Sequence, residues 1–315
     1  MQRFSSDRTH FYFDRALEPA GTVRPGEAFV VETADSLCGL IKSERDGFAS
    51  FAELLERVGG ANPVTGPIAV EGCRAGDLLA ITVHDIVPAP RSGRGWTMLI
   101  PGWGGLQHDG YSIQDPIPPR TVMAEVDRHM VTMELDGRRL SLPSEPFIGT
   151  LGVAPAVERR LTLSQSPEYL GDVDVRAFRP GTTLFLRAHA DGGLLFVGDV
   201  HATQGDAEIT GVAIEVDAEV TLSVEVIPKG EGIYGRLPVL ASERWFGVIA
   251  AFGGAGLTNC VRAGYADLCE LMQLYYGFTR SGAYVLLGQV GRVQVGNMID
   301  PFYSCLVQVD RKYLE

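Results

Sequence analysis

Paired cysteines are missing from this sequence. The 315 residues include five cysteines, none of them arranged as CxxC: Cys38, Cys73, Cys260, Cys269 and Cys305. An odd number of widely spaced thiols suits neither a disulfide framework nor a thiolate zinc site, because both require closely patterned pairs. We therefore expect all five to be reduced.

Long apolar segments are also scarce. The opening residues, MQRFSSDRTHFYFDR, contain no apolar core of signal-peptide length. No later stretch approaches the roughly 18 uninterrupted apolar residues that a membrane helix needs. These features predict a cytoplasmic protein that does not cross a membrane.

Positive charge is in deficit. The chain has 27 lysines and arginines against 39 aspartates and glutamates, a formal net charge of −12, and it contains no basic run. A sequence-independent grip on nucleic-acid phosphates requires clustered positive charge. Nucleic acid is therefore not expected as a partner, and a small neutral or cationic substrate fits the composition better.

The common catalytic signatures are absent as well. The sequence has no GxSxG elbow, no GxxxxGK[ST] loop and no HExxH helix, which removes the usual motifs of serine hydrolases, P-loop enzymes and zincins. Gly253, Gly254 and Gly256 lack the further glycine that a dinucleotide-binding turn requires.

What the sequence does contain is a succession of short strand-like runs. Thirty-eight glycines and 18 prolines separate segments rich in branched and aromatic residues, which is typical of a mainly β fold with many turns. The predicted strands lie at 28–34, 67–72, 78–87, 182–190, 194–202, 216–227 and 303–314.

Three segments carry helical spacing. Residues 48–58 place Phe51, Leu54, Leu55 and Val58 on one face, and helices are also predicted at 258–277 and 279–291 near the carboxyl end. We divide the chain near residue 150 into a β-rich domain, 1–150, and a β-rich or α+β domain, 151–315. One intertwined unit is the alternative.

The densest group of charged side chains follows an apolar strand in LLFVGDVHATQGDAEITG, residues 194–211. Asp199 and His201 share one face of an extended strand, about 7 Å apart along the chain. A carboxylate and an imidazole at that spacing can converge on one divalent ion, and zinc accepts both ligand types. This pattern predicts a metal site that activates water.

Two further carboxylates lie close by in sequence. Gly205 permits a tight turn that would bring Asp206 and Glu208 back over the same region. Glu208 is the candidate general base, because a carboxyl group that is desolvated among like charges has a raised pKa. The alternative is that these carboxylates cap turns and face solvent.

Other isolated residues carry weaker signals. Asp172 and Asp174 share a face in GDVDVR, and Asp35 ends a predicted strand, but turns and solvated strand edges account for such aspartates equally well. His108 lies in the glycine-rich segment PGWGGLQHDG, which we expect to help shape a pocket.

Several long motifs resemble one known family. The segment GDVHATQGDAEITGVAIE closely resembles the acetamidase/formamidase signature GDxHxxQGDGE, which is followed by a short run and a glutamate. NPVTGPIAVEGCRAGDLLAITVHDI, residues 62–86, and PFIGTLGVAPA, residues 146–156, are similar to two further motifs of that family. The similar segments run in the family's order from about residue 10 to 314.

This resemblance implies a mainly β fold with sandwich-like layers and a smaller α/β part that includes two C-terminal helices. It also implies metal-dependent hydrolysis of a short linear amide to a carboxylate and ammonia, with zinc as the expected ion. The motif GDxH implies that Asp199 and His201 are metal ligands. The remaining motifs imply catalytic roles for Gln204, Asp206 and Glu208, and metal contacts for Asp35 and Asp174.

Two positions depart from the family pattern. Ala207 replaces the usual glycine of QGDGE, and Asp172 replaces the usual asparagine of GGNxD. A β-carbon at 207 disfavours the backbone conformations that only glycine adopts easily. The extra carboxylate at 172 would favour a second cation or a cationic substrate.

Two other readings of the chain remain open at this point. A metal-free amidase could use Cys38 or Cys73 as its nucleophile, although the sequence gives neither thiol an obvious histidine partner. A catalytically silent homologue would bind a small molecule without reacting. In each case we expect a homo-oligomer, a dimer or larger.

Overall fold

The computed structural model describes residues 1–106, 117–232, 235–299 and 301–315. Within these ranges the amino-terminal half of the chain forms one helix and a series of mostly short strands. They are β1 (Gln2–Phe4), β2 (Thr9–His10), β3 (Tyr12–Phe13), β4 (Gly21–Val23), β5 (Phe29–Thr33), α1 (Phe51–Val58), β6 (Val64–Val70), β7 (Leu78–Pro88), β8 (Arg94–Leu99), β9 (Arg120–Val126), β10 (Met130–Leu135), β11 (Arg138–Pro143) and β12 (Phe147–Val153).

The carboxyl-terminal half continues with strands before two longer helices. They are β13 (Arg160–Leu161), β14 (Gln165–Ser166), β15 (Leu170–Asp172), β16 (Thr182–Arg187), β17 (Leu195–His201), β18 (Glu215–Val216), β19 (Ala218–Ile227), β20 (Val239–Ser242), β21 (Trp245–Ala251), α2 (Leu257–Tyr276), α3 (Arg280–Val290), β22 (Arg292–Ile299) and β23 (Phe302–Asp310). Short 3₁₀ turns cover Asp206–Glu208 and Arg311–Tyr313.

The strands assemble into two large sheets and a two-stranded ribbon, β13 with β3. The first large sheet has nine strands in the order β1-β5-β19-β7-β16-β20-β21-β23-β22. The second has twelve strands, in which β11-β10-β9-β8-β18-β17-β12-β15-β14 form the main path and β2, β4 and β6 join beside β17. Most neighbouring strands are antiparallel, whereas the pairs β1–β5 and β4–β6 are parallel.

The main hydrophobic core lies between these two sheets. Ile81 and Leu222 of the first sheet belong to the same buried cluster as Ile148 and Val197 of the second. Packing of two apolar sheet faces is the defining feature of a β-sandwich. The expected mainly β, layered fold is therefore confirmed.

The two C-terminal helices cover one end of the nine-stranded sheet. Leu268 and Leu271 of α2 and Leu287 of α3 share a second buried cluster with Val248 of β21 and Val307 of β23. Gly277 ends α2 in a left-handed conformation, as its sequence position indicates. These helices form the expected smaller α-containing part.

Residue 150 does not separate the sheets. It lies inside β12, and both large sheets contain strands from before and after it. β17, which carries Asp199 and His201, forms strand pairs with β6, β12 and β18. The strands that surround the site therefore come from both halves of the chain.

In the part of the chain that the structure describes, no helix combines the length and apolar character needed to cross a membrane.

Candidate functional site

Strand β17 carries the first two site residues. Both Asp199 and His201 have side chains that are almost completely buried. Asp199 adopts a left-handed backbone conformation with φ of 54°, which breaks the regular alternation of the strand. Both side chains nevertheless enter the same cluster, and His201 Nε2 lies 3.3 Å from Asp199 Oδ1.

The two imidazole nitrogens of His201 have different surroundings. Nδ1 lies 2.8 Å from Gln204 Oε1, which can only accept a hydrogen bond, so this contact places a proton on Nδ1. Nε2 then faces Asp199 and the carboxylate of Glu215, whose Oε1 is 3.5 Å away. A histidine whose other nitrogen is fixed in this way is oriented to bind a metal.

Glu215 is a site residue that the sequence reasoning missed. It begins β18, where it pairs directly with His201 of β17, and its side chain is 3% exposed. A glutamate inside the apolar run AIEV is the signal that could have identified it. A glutamate side chain is almost never fully buried unless it is paired with another polar or charged group.

Glu208 reaches the cluster from the turn that follows β17. Its carboxyl group is buried, and its ligand atoms lie within 4.8 Å of those of Asp174 and His201. The turn bends sharply because Ala207 and Glu208 both have positive φ, 75° and 44°. Ala207 therefore occupies a backbone conformation that suits glycine better, despite its β-carbon.

Asp172 and Asp174 enter from the end of β15. Thr150 Oγ1 lies 2.9 Å from Asp172 Oδ1 and 3.0 Å from Asp199 Oδ2, so its single proton can serve only one of them at a time. Asn297 of β22 donates from Nδ2 to Asp174 Oδ2 at 2.9 Å. Asn297 was not anticipated from the sequence.

Burial and crowding raise the pKa values of the carboxyl groups. Burial raises the pKa of Glu215 to about 8 and that of Asp174 to about 6, although the nearby imidazole opposes both shifts. Burial and the charge of Asp174 raise the pKa of Glu208 well above its ordinary range.

His201 shows the complementary effect. Burial alone would lower the pKa of its imidazole, but the charges of Glu215, Asp199 and Asp174 raise that pKa well above its ordinary value. Asp172 behaves like Glu208, since burial and then Asp174 raise its pKa. The cluster is therefore short of positive charge.

The donor set fits a divalent cation. Asp174 Oδ1, Asp199 Oδ1 and Glu215 Oε2 are buried and accept no hydrogen bond from the residues that the structure describes. Unpaired buried charges are costly, and a bound cation removes that cost. Two groups of close ligand atoms share His201: one with Asp199 and Glu215, the other with Asp174 and Glu208. Nitrogen and carboxylate oxygen together suit zinc.

Two of the residues expected at the site, Asp35 and Asp206, lie outside the cluster, and a third, Gln204, contacts it through His201. Asp35 accepts hydrogen bonds from the backbone of Leu37 and Gly39, so it caps a turn and belongs to none of these ligand groups. Asp206 is exposed, and its Oδ1 lies 3.3 Å from Arg176. Gln204 contacts His201, but its amide nitrogen donates to the backbone oxygens of Asp174 and Gly296.

His108 lies outside the described residues. Trp103, from the same glycine-rich segment, lines the cavity beside the acidic cluster. That cavity has a volume of about 50 Å³.

Neither of the two cysteines considered as nucleophiles lines this cavity. Burial raises the pKa of the Cys38 thiol, and it raises that of Cys73 to about 12. A raised pKa makes the reactive thiolate less available. The geometry therefore favours the acidic cluster over a thiol as the reacting centre.

Comparison with known proteins points to one family. The model of the Acetamidase/Formamidase family matches residues 2–166 and 158–301 of this chain. The crystal structure of an acetamidase from Yersinia enterocolitica superimposes with a TM-score of 0.87 and 31% identity, covering 98% of this chain and 91% of that one. The crystal structure of an acetamidase from Bacillus halodurans superimposes with a TM-score of 0.85 and 29% sequence identity. This match covers 99% of this chain and 98% of that one.

Curated sequences give a more distant match. An acetamidase of Mycolicibacterium smegmatis is 26% identical over 271 residues, which is 70% of this chain and 66% of that protein. The alignments span 62% and 66% of the length of the two curated relatives.

Proposed function

Because this chain belongs to the acetamidase/formamidase family, we propose that it hydrolyses a short linear amide to a carboxylate and ammonia. The observation that carries the proposal is the buried cluster around His201. Unpartnered carboxylate oxygens and a carboxyl group of raised pKa, that of Glu208, meet there beside a small cavity. Titratable groups with perturbed pKa values in a cavity are typical of active sites.

A divalent ion, which we take to be zinc, would be held by Asp199, His201 and Glu215. These three offer ligand atoms within 4.8 Å of one another, and Nε2 is the imidazole nitrogen left free by Gln204. Such an ion supplies Lewis acidity, which polarises an amide carbonyl and lowers the pKa of water. Asp174 lies beside His201 and adds a further carboxylate to the surroundings of the proposed metal site.

Glu208 acts as the general base and then as the general acid. Its carboxylate accepts a proton from the attacking water and returns that proton to the departing nitrogen, since an amine leaves readily only after protonation. Burial and the charge of Asp174 raise the pKa of Glu208, which favours its holding the proton until the departing nitrogen takes it. Its position on a sharp turn aims the carboxyl group into the cavity.

Gln204 acts as a positioning residue. All of its side-chain hydrogen bonds run to His201 and to two backbone oxygens, so no donor remains for an oxyanion. By accepting from Nδ1 it selects the tautomer of His201 that leaves Nε2 free.

The experiment that tests this function is a hydrolysis screen. Purified protein is incubated with short amides, and ammonia release is measured before chelation, after chelation and after zinc is restored. We expect release that chelation abolishes and zinc recovers. If no amide yields ammonia with the zinc-loaded protein, the proposal fails and a binding role is favoured. If activity resists chelation but is lost to a thiol reagent, a cysteine mechanism is favoured.

The cytoplasmic location and the homo-oligomeric state expected from the sequence stay predictions. Size-exclusion chromatography with light scattering measures the oligomeric state directly.

A further inference from the structure

The lining of the cavity beside His201 has two chemically different parts. One part is the acidic cluster, including Asp199, Glu208 and Glu215. Most of the rest of the lining is apolar and belongs to one hydrophobic cluster, with side chains from distant parts of the chain: Phe51, Leu54, Trp96, Met98, Trp103 and Phe302. An amide placed with its reacting carbon at the acidic cluster would direct its acyl chain towards these apolar walls.

A stacked aromatic pair forms part of the apolar lining. The rings of Phe51 and Trp103 are 3.9 Å apart between centroids and 6° from parallel. Phe302 lies beside Trp103, with 6.2 Å between the ring centroids. Trp103 is 9% exposed, so the pair shields that part of the cavity from solvent.

The aromatic pair is attached to the turn that carries Glu208. Trp103 Nε1 donates to the backbone oxygen of Gly211 at 2.8 Å, and the Gly211 nitrogen donates to the oxygen of Glu208 at 2.7 Å. A β-carbon at Gly211 would lie 2.4 Å from Trp103 Nε1. Two consecutive hydrogen bonds therefore connect the aromatic pair to the proposed base.

Phe51 is held by the start of helix α1. Ser50 caps this helix by accepting a hydrogen bond from the Glu53 nitrogen at 3.1 Å, and the Glu53 carboxylate accepts from the Ala49 nitrogen at 2.7 Å. This double cap fixes the first turn, in which Phe51 is the first residue.

The size of the cavity limits its occupant. A cavity needs roughly 10–15 Å³ to hold one water-sized group. The free space of about 50 Å³ that the described residues leave here corresponds to about three to five such groups. Acetamide has four non-hydrogen atoms and propionamide five, whereas formamide would leave the apolar part unfilled and an aromatic amide would exceed the space.

We propose that the Phe51–Trp103 pair sets acyl-chain specificity, so that the enzyme favours the two- and three-carbon aliphatic amides over formamide and over longer or aromatic amides. This inference rests on the proposed amidase function. It goes beyond that function because it assigns the selecting residues and the size limit.

The test compares kcat/KM across formamide, acetamide, propionamide, butyramide, hexanamide and benzamide. One methylene in a hydrophobic pocket changes kcat/KM by about tenfold or more. We expect wild type to gain about tenfold from formamide to acetamide and to lose at least tenfold beyond propionamide. Phe51→Ala should shift the optimum to longer chains and raise the ratio of hexanamide to acetamide by about tenfold.

Leu55→Ala is the matched control. Leu55 lies on the same helix, is 39% exposed and does not line the cavity, so its truncation should leave the chain-length profile unchanged. Phe51→Leu is a second, milder variant that keeps the first turn packed if Phe51→Ala fails to fold. Circular dichroism and thermal melts verify the fold of each variant.

Binding of the same amides, measured by quenching of tryptophan fluorescence, separates this inference from the proposed function. If ammonia is never released, the amidase function fails, and the dependence of affinity on chain length decides the inference. The inference is overturned if formamide is the best substrate or ligand. It is also overturned if the profile of Phe51→Ala or Phe51→Leu matches that of Leu55→Ala.

Discussion

Glu208 is the residue on which the chemistry depends most directly. Replacing it by glutamine keeps its size but removes its capacity to accept a proton, so Glu208→Gln should lower kcat by about 10²- to 10⁴-fold. Metal content, measured by elemental analysis, should survive because the proposed ligands Asp199, His201 and Glu215 are untouched.

Asp206→Asn is the control for this variant. Asp206 lies on the same turn but is exposed and pairs with Arg176 at the surface. A variant at 206 should therefore keep most of its activity. An unchanged kcat in Glu208→Gln would remove Glu208 from the mechanism.

Ala207 stores strain in the turn before Glu208. A left-handed conformation costs an L-residue other than glycine about 1 kcal/mol, and Ala207 adopts one with φ of 75°. Ala207→Gly should therefore raise the free energy of unfolding by about 1 kcal/mol in urea titrations.

Ala75→Gly provides the comparison for this effect. Ala75 is exposed and does not have positive φ, so glycine there should be neutral or destabilising. Equal effects at both positions would show that strain at Ala207 is not the cause.

At the level of elements, the close pairing of β12 with β17 leaves no room for a side chain at Gly149. A β-carbon there would lie 2.6 Å from Asp174 Oδ1 and 2.7 Å from Asp199 Oδ2. Gly149→Ala should therefore displace both carboxylates and lower zinc affinity by about tenfold or more, as measured by competition with a chromogenic chelator.

Gly253→Ala is suited as a control for that substitution, because no atom of the described residues lies within 4 Å of a β-carbon at Gly253. Its zinc affinity should equal that of wild type. Normal zinc affinity in a folded Gly149→Ala protein would argue against Asp199 as a ligand.

The elements themselves were largely predictable, because their signals are local. Helices predicted at 258–277 and 279–291 appear as Leu257–Tyr276 and Arg280–Val290, since apolar spacing and terminal glycines are properties of a short segment. The helix predicted at 48–58 begins later, at Phe51, because Ser50 caps it. The strand predicted at 182–190 ends at Arg187.

Across the whole molecule, the buried acidic cluster couples stability to pH. The pKa of Glu215 is about 8 in the folded chain against an ordinary 4.5, and those of Glu208 and His201 are also raised. At pH values between the ordinary pKa of these groups and their raised pKa in the folded chain, the folded state binds more protons than the unfolded state. The free energy of unfolding therefore falls as pH rises.

For metal-free protein we expect a loss on the order of 3 kcal/mol between pH 6 and pH 8.5, measured by urea denaturation. Saturating zinc should reduce this loss, because a cation takes the place of the bound protons. Stability of the metal-free protein that rises with pH over this interval would contradict the account.

The sequence by itself determined the family, the mainly β character and the close grouping of Asp199, His201 and Glu208. Asp199, His201 and Glu208 lie within ten positions of one another, so a single strand and turn suffice to bring them together. The order of the motifs along the chain identified the family, and with it the layered β fold, because similar sequences adopt similar folds.

Only the tertiary structure decided which distant residues complete the site. Glu215 faces His201 through strand pairing, Asn297 reaches Asp174 from 123 positions away, and Phe51 stacks on Trp103 in the wall of the cavity. Asp35 lies elsewhere because its carboxylate is used by the local turn. Contacts of this kind depend on how sheets and loops pack, which no local pattern encodes.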